Sequence, residues 1–323
     1  MNPNICISAE TPEELEEIKT ILSDAGKKYI TYEPKNRNKI YDSIHFLIYL
    51  KRRKIKTIIG APCLRNRVAR LFGITYISYL RSLHPSPEAA SSLSDRIYFK
   101  LKSLGIKKNI FNPYSANICL VTANVTESFL IAREIEKFRI FNIGACWLKK
   151  EKLPPIEATD ISLCFITQAF SEHLNEKAHQ EQVNAIERFS RLAYEKGTTL
   201  TIRKHPRDFY NYLAHFHNKE HNTKIKINTD TPINFLTNFN QNNIIISSFS
   251  TLAFELLQSG AKAIFISLES APSFYDSFRK IGITPLRWEN AKIEDARIIE
   301  AIVFNKYDAD NIKELFKNKL KDA

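Results

Sequence analysis

Glycine is scarce in this chain, 8 in 323 residues, and none falls in a Gly-x-Gly-x-x-Gly or Gly-x-x-x-x-Gly-Lys-Ser/Thr pattern. The glycine turns that bring backbone against a dinucleotide pyrophosphate or a nucleoside triphosphate are missing, which argues against dinucleotide oxidoreductases and P-loop NTPases. Cysteine is sparser still: 5 residues, an odd number with no Cys-x-x-Cys pair. Cys119 and Cys164 sit inside apolar runs, so the thiols read as buried and free in a reducing compartment, not as zinc ligands or disulfide partners. No stretch approaches the ~18 apolar residues of a membrane span. Acidic Glu10 to Glu17 follows the first strand-like run at once, where a secretory leader would need its apolar core. A cytoplasmic protein is expected.

What the chain does have is length and alternation. Its 323 residues suffice for two α/β domains, each with its own core. Strand-like and helix-like runs alternate: Ile5 to Ala9 then Glu13 to Ala25, Tyr29 to Tyr32 then Asp42 to Leu50, Thr57 to Gly60 then Leu64 to Phe72. Strand-like Ile74 to Ser78, Ile118 to Thr122 and Ile140 to Ile143 follow, with helices expected over 91–105 and 126–137. Such alternation predicts parallel sheets wrapped by helices. Charged, proline-containing and aperiodic, residues 149–160 mark a linker. The expected domains are 1–150 and 151–323. The second opens on strand-like Ile161 to Thr167, with a helix from Glu176 to Lys196. Helices are also expected over Ile293 to Phe304 and Ile312 to Leu320.

Two later segments carry chemistry. Thr198 to Arg203 is β-branched and runs into Lys204-His205-Pro206-Arg207, and the apolar run Asn243 to Ile246 leads into Ser247-Ser248-Phe249-Ser250-Thr251. Ligands of parallel sheets bind beyond the carboxyl ends of the strands, where His205 and Ser247 would stand. Leu252, Phe254, Leu256 and Leu257, with Gly260 beyond, form a helix pattern whose first turn holds the hydroxyls. Its free N–H groups and positive dipole end suit a phosphate. Plainer roles stand beside this one. Ser250 or Thr251 fits a helix N-cap, and His205-Pro206 fits a strand terminator with a surface imidazole.

The order strand, His-Pro, a segment containing Asp230-Thr231-Pro232, strand, Ser-Ser-x-Ser-Thr-x-x-x-Glu resembles the C-terminal half of bacterial GT-B glycosyltransferases. More narrowly it resembles the sialyltransferase and polysialyltransferase-like enzymes of capsule or lipooligosaccharide synthesis. It is also similar to the CDP-glycerol polymerases of teichoic acid synthesis. The likeness covers residues 160–270; outside them it is architectural, with Ser115 to Gly144 like the last strand-helix-strand of a GT-B N-domain.

It implies two Rossmann-like parallel-sheet domains facing a central cleft, an N-terminal acceptor domain and a C-terminal nucleotide-sugar domain, with a last helix that often returns to the first. It implies a CMP-activated acidic sugar of the nonulosonate type as donor and a surface glycan or glycolipid as acceptor. His205 would support departure of CMP. Ser247, Ser248 and Ser250 or Thr251 would grip its phosphate, flanked by Lys204, Pro206 and Arg207. Glu255 would read the ribose hydroxyls, or is a helix residue near the dipole's positive end. A CDP-glycerol or UDP-sugar donor on the same fold is the alternative.

Breaking a glycosyl–phosphate bond leaves charge on the departing phosphate, so preorganised donors there lower the barrier without a metal or other cofactor. Asp308-Ala309-Asp310 is a possible metal motif by pattern, but it directly precedes an amphipathic segment and reads as helix-starting chemistry. An inverting transfer also needs a base. The acidic-acidic-Gly motif that supplies it in the family is missing. Glu88 and His84, in the loop after Ile74 to Tyr79, are the candidates, with Glu127 a further one.

The net charge of +12 concentrates at Lys51 to Lys56, at Arg65, Arg67 and Arg70, and at Lys100, Lys102, Lys107 and Lys108. Apolar Ile44 to Leu50 precedes the first cluster. That fits either peripheral docking on the anionic inner face of the cytoplasmic membrane or a core helix with a solvated basic end. A non-enzymatic basic protein is the competing class. No helix-turn-helix, RNA-recognition aromatic motif or zinc knuckle supports nucleic acid as partner.

Overall fold

Aliphatic runs and amphipathic segments resolve into two parallel α/β units in the computed structural model. It describes residues 4–33, 39–81, 112, 114–148, 161–170, 175–217, 219–230, 235, 239–240, 242–271, 278, 281–299 and 303–319. One unit comprises Met1–Lys149 with Phe304–Ala323, the other Lys150–Val303. The expected helix over 91–105, the linker at 149–160, and both His84 and Glu88 lie outside the described residues.

The first unit runs β1 (Ile5–Ser8), α1 (Pro12–Asp24), β2 (Tyr29–Thr31), α2 (Lys39–Arg52), β3 (Thr57–Gly60), α3 (Leu64–Leu71), β4 (Thr75–Leu80), β5 (Ile118–Val121), α4 (Asn124–Ala132) and β6 (Ile140–Asn142). Local chemistry sets the boundaries. Thr11 stands before α1 with its Oγ1 accepting the Glu14 N–H at 3.2 Å, and Pro12 occupies the first turn, where a missing N–H costs nothing. The six strands are parallel in the order β2-β1-β3-β4-β5-β6. A Cβ on Gly60 would come within 2.1 Å of the Ser8 carbonyl oxygen, so no larger residue fits there. Helix α4 is shorter than the expected 126–137. It ends at Arg133, and Glu134 turns to a φ of 62°.

The second unit runs β7 (Ser162–Ile166), α5 (Glu176–Glu195), β8 (Leu200–Arg203), α6 (Tyr212–Phe216), β9 (Ile225–Asn228), β10 (Asn243–Ser247), α7 (Thr251–Gln258), β11 (Lys262–Ser267), β12 (Leu286–Arg287) and β13 (Arg297–Ile298). Its strands follow the order β12-β11-β10-β7-β8-β9, with β13 antiparallel to β11. One face of this sheet meets α5 through Val183, Ile186 and Phe189, each worth about 1.5–3 kcal/mol of burial. The helix expected over Ile293 to Phe304 is not what forms. Asp295 accepts the Lys292 N–H at 2.7 Å and closes a short turn, after which Arg297 and Ile298 pair with Ala263 and Lys262. The start of β11, which β12 leaves uncovered because it pairs with Ile266 and Ser267, claims a segment whose apolar spacing reads as helical.

Helix α8 (Ala309–Lys319) belongs to the first unit, where Ile312, Leu315 and Phe316 pack with Ile18, Ile21 and Leu22 of α1. Asp308 Oδ1 accepts the N–H groups of Asp310 and Asn311, both at 3.0 Å. Asp308 thus starts this helix in the way the sequence indicates.

Candidate anion site at the edge of the second sheet

From β7 the chain winds outward through β8 and β9, then returns to the other side of β7 with β10, β11 and β12. The boundary between β7 and β10 is the point where winding reverses, and ligands of open parallel sheets bind beyond the strand ends at such a point. Ser247 pairs with Ile166, and Ile166 with Arg203. These three share one row and one face, with Ser247 and Arg203 two strand spacings apart, about 10 Å.

Ser247 and Ser248 are 0 % and 1 % exposed, and the hydroxyl of neither has a hydrogen-bond partner among the described residues. Leaving such a group dry and unpaired costs about 1–3 kcal/mol, so a pair of them at a strand end marks a place for an acceptor. Next comes the first turn of α7. Its N-cap is Ser250, whose side chain makes no capping bond. That removes the plainer reading of this hydroxyl and leaves the turn's N–H groups unserved by it. Thr251 begins the helix and is half-buried; Glu255 is buried one turn on. The loop is held from below by aromatic rings. Phe249 stacks on Phe278 at 5.5 Å, and Phe254 stacks on Phe265 at 5.0 Å.

At the end of β8, His205-Pro206-Arg207-Asp208 forms a turn closed by the Asp208 N–H donating to the His205 carbonyl at 2.8 Å. Proline's fixed φ suits the second position of such a turn. The Asp208 carboxylate is buried and accepts from the Tyr212 hydroxyl at 2.9 Å, which anchors the turn. The turn in turn sets the imidazole. Nδ1 of His205 accepts the Arg207 N–H at 3.2 Å, so a neutral ring carries its hydrogen on Nε2. The His205 N–H donates to Thr167 Oγ1 at 3.0 Å, joining the ends of β8 and β7.

Cations gather here, and the Asp208 carboxylate beside them is occupied by the Tyr210 N–H and the Tyr212 hydroxyl. Lys204 Nζ donates to the Tyr210 carbonyl at 2.8 Å. Pro206 and Arg207 are exposed. Among the described residues Arg203, 5 % exposed, donates to the carbonyls of Lys204 and Asn228, at 3.4 Å each, and lies over the Phe235 ring. Burial lowers its pKa. Among the described residues none of these cations forms a salt bridge. A buried guanidinium of this kind gains from an anion at the strand end.

Thr167 and Arg203 were not singled out in the sequence. Each is a polar residue closing an apolar run, and only the register reveals that they border the Ser247 row. Gln182 is another: its amide spans the loop after β7, accepting from the Gln168 N–H at 2.7 Å and donating to the Gln168 carbonyl at 3.1 Å.

The first unit reverses its winding between β1 and β3. There Arg65 Nε donates to Ser8 Oγ at 2.8 Å, and its other nitrogens reach Asp42 Oδ2 at 3.2 Å and the Ala9 carbonyl at 3.0 Å. Glu14, on the first turn of α1, is 6 % exposed and accepts the Glu10 N–H at 2.9 Å. Burial pushes its carboxyl up to about 7, against the pull of the Glu10 amide. The sequence shows Glu14 as one of a run of acids, with nothing to distinguish it. Glu127 lies half-buried on the first turn of α4.

No family model matches the chain, and no curated protein matches its sequence. Solved structures do. The UDP-GlcNAc 2-epimerase of Methanocaldococcus jannaschii, in complex with UDP-GlcNAc and UDP, matches with a TM-score of 0.60 at 13 % identity, over 98 % of this chain and 99 % of that one. MnaA of S. aureus in its co-structure with UDP matches at 0.64 and 9 % identity, over 99 % and 97 %. The UDP-GlcNAc 2-epimerase of Neisseria meningitidis bound to UDP-GlcNAc matches at 0.53 and 12 %, over 99 % of each chain. With the two parallel sheets, these likenesses define a GT-B fold.

Proposed function

We propose that this chain transfers a sugar from a nucleotide-activated donor to a glycan acceptor, holding the donor phosphate at the β7/β10 strand ends. The observation that carries the reading is the pair of buried hydroxyls on Ser247 and Ser248, without a partner among the described residues and set before a helix whose N-cap side chain does not cap it. These groups and the N–H groups of α7 would bind phosphate in the ground state. Nε2–H of His205 would donate to the oxygen that gains charge as the glycosyl bond breaks, a contact that strengthens in the transition state. Lys204, Arg203 and Arg207 would offset the phosphate's charge, and Glu255 would take the ribose hydroxyls. The scheme assigns no step to a metal.

Two donors fit. The His-Pro and Ser/Thr motifs favour a CMP-activated acidic sugar, as in the sialyltransferase-like enzymes. The neighbours solved with UDP favour a UDP-sugar. For the acceptor's proton, Glu88 and His84 remain the candidates by sequence.

Melting the protein with CMP, UMP or UDP separates the donors, since a ligand of the native state raises the melting temperature. Turnover with matching nucleotide-sugars should release nucleotide only when an acceptor is present. His205→Ala should cut that release roughly 10²–10⁴-fold with an unchanged melting temperature. Wild-type turnover in the variant removes His205 from the mechanism. Conversion of UDP-GlcNAc into its 2-epimer without an acceptor makes the protein an epimerase instead, and stabilisation by none of the nucleotides ends the donor-site reading.

A further inference from the structure

Helix α2 is apolar on two sides. Its inner side, including Phe46 and Leu50, is buried in the core with Ile58 and Tyr76. Its outer side carries Ile40, Tyr41, Ile44 and Ile48, which are 66 %, 60 %, 51 % and 44 % exposed. At 3.6 residues per turn these four fall within an arc of about 100°, and Lys51 continues the same arc one turn on. A helix on the surface of a soluble domain normally turns polar groups outward, so a continuous apolar stripe there marks a contact surface.

Charge decides what covers it. The helix ends in exposed Lys51 and Arg52, and exposed Arg53 and Lys54 follow at once. The one acid in α2 is Asp42, which is 4 % exposed and turned inward to Arg65. The outer face is therefore apolar and cationic, with no carboxylate of its own helix. Helix α3, which packs beside α2, ends in Leu71 and Phe72, 58 % and 70 % exposed. A second copy of this face would meet cations with cations. A nucleic acid would answer the cations but not three isoleucines. An anionic bilayer answers both, since headgroups take the lysines and arginines, the acyl boundary takes the aliphatic side chains, and tyrosine favours that interface.

We propose that the outer face of α2 lies on anionic membrane, with Ile40, Tyr41, Ile44 and Ile48 inserted at the interface and Lys51 to Lys54 on the headgroups. The proposal is independent of the donor site, because every residue it uses belongs to the first unit.

Full-length protein is sedimented with vesicles of phosphatidylcholine alone and with about one-third phosphatidylglycerol. Binding to the anionic vesicles should be at least tenfold tighter, and should fall steeply between about 0.05 and 0.5 M salt as the charges are screened. Ile44→Ser with Ile48→Ser should weaken it by roughly tenfold or more, and Lys51→Glu with Arg52→Glu by at least about twentyfold, with circular dichroism and melting unchanged. Equal binding of the wild type to both vesicles overturns the proposal without recourse to any variant. So does wild-type affinity in folded variants. Lipid-independent dimerisation abolished by the isoleucine changes would assign the face to a second copy and also overturn it.

Discussion

The two units place the same topological feature to opposite uses. Each sheet reverses its winding beside its first strand, between β1 and β3 in one and between β7 and β10 in the other. In the first unit that edge is occupied by the chain's own charges, with Arg65 spending its donors on Ser8, Asp42 and Ala9, and the unpartnered atoms beside it, Glu14 Oε1 and Asn66 Oδ1, are acceptors with nothing to offer an anion. In the second the edge holds uncharged hydroxyls that have no partner among the described residues, with Arg203 and Lys204 nearby donating to carbonyls. A strand-end crevice becomes a ligand site when the protein declines to satisfy it internally. The first edge should therefore respond to mutation as structure, and the second as a binding site.

Removing Arg65 should give the largest effect. Arg65→Met leaves the Asp42 carboxylate buried with the Tyr32 hydroxyl at 2.9 Å as its remaining short contact, and breaking such a pair costs about 3–5 kcal/mol. The chain has 2 tryptophans, Trp147 and Trp288, one in each unit. In a Trp288→Phe background, urea unfolding followed by Trp147 fluorescence should show the loss. An unchanged midpoint would mean that the edge network contributes nothing.

Glu14 sharpens the contrast with a pH dependence. Its folded pKa, about 7, lies above the reference of 4.5, so the folded state holds the proton more tightly between those values. The associated stability is complete below pH 4.5 and is lost as pH rises through about 7, amounting to about 3 kcal/mol. Glu14→Gln cannot ionise. At pH 8 it should melt higher than wild type, and the decline between pH 4.5 and 7 should flatten. If stability shows no pH difference between the two proteins, the carboxyl is not held protonated.

How much of this could be read from the chain depends on the range of the interactions. The His205 turn and the Ser247–Thr251 loop were legible, because each is a polar cluster ending a strand-like run and its geometry is local. Thr167 and Arg203 were not, since one polar residue at a strand end is unremarkable until register sets it beside Ser247. The first-unit network was equally hidden: Arg65 is 57 residues from Ser8 and 23 from Asp42. Residues 297–298 were misread for the same reason, because a two-residue strand exists only through its partner β11. The outer face of α2 needed both its spacing and the exposures that folding sets. The spacing alone fits a core helix just as well.

The finest test of the comparison is the smallest in stability. Ser247→Ala with Ser248→Ala removes two hydroxyls that are buried and unpaired among the described residues, so the change sheds a desolvation cost and none of the bonds described. Unfolding followed by Trp288 in a Trp147→Phe background should be unchanged or slightly more stable. Nucleotide affinity should instead fall roughly 10²–10⁴-fold, since each of the two hydrogen bonds to a charged group is worth about 1.5–3 kcal/mol. Ser250→Ala serves as the gradient: its hydroxyl makes no capping bond, so it too should spare stability, with any loss confined to binding. The opposite pattern, a melting temperature several degrees lower with nucleotide affinity intact, would show that these hydroxyls serve the fold. The second edge would then differ from the first only in lacking charge, and a strand end left unsatisfied would no longer be evidence for a ligand.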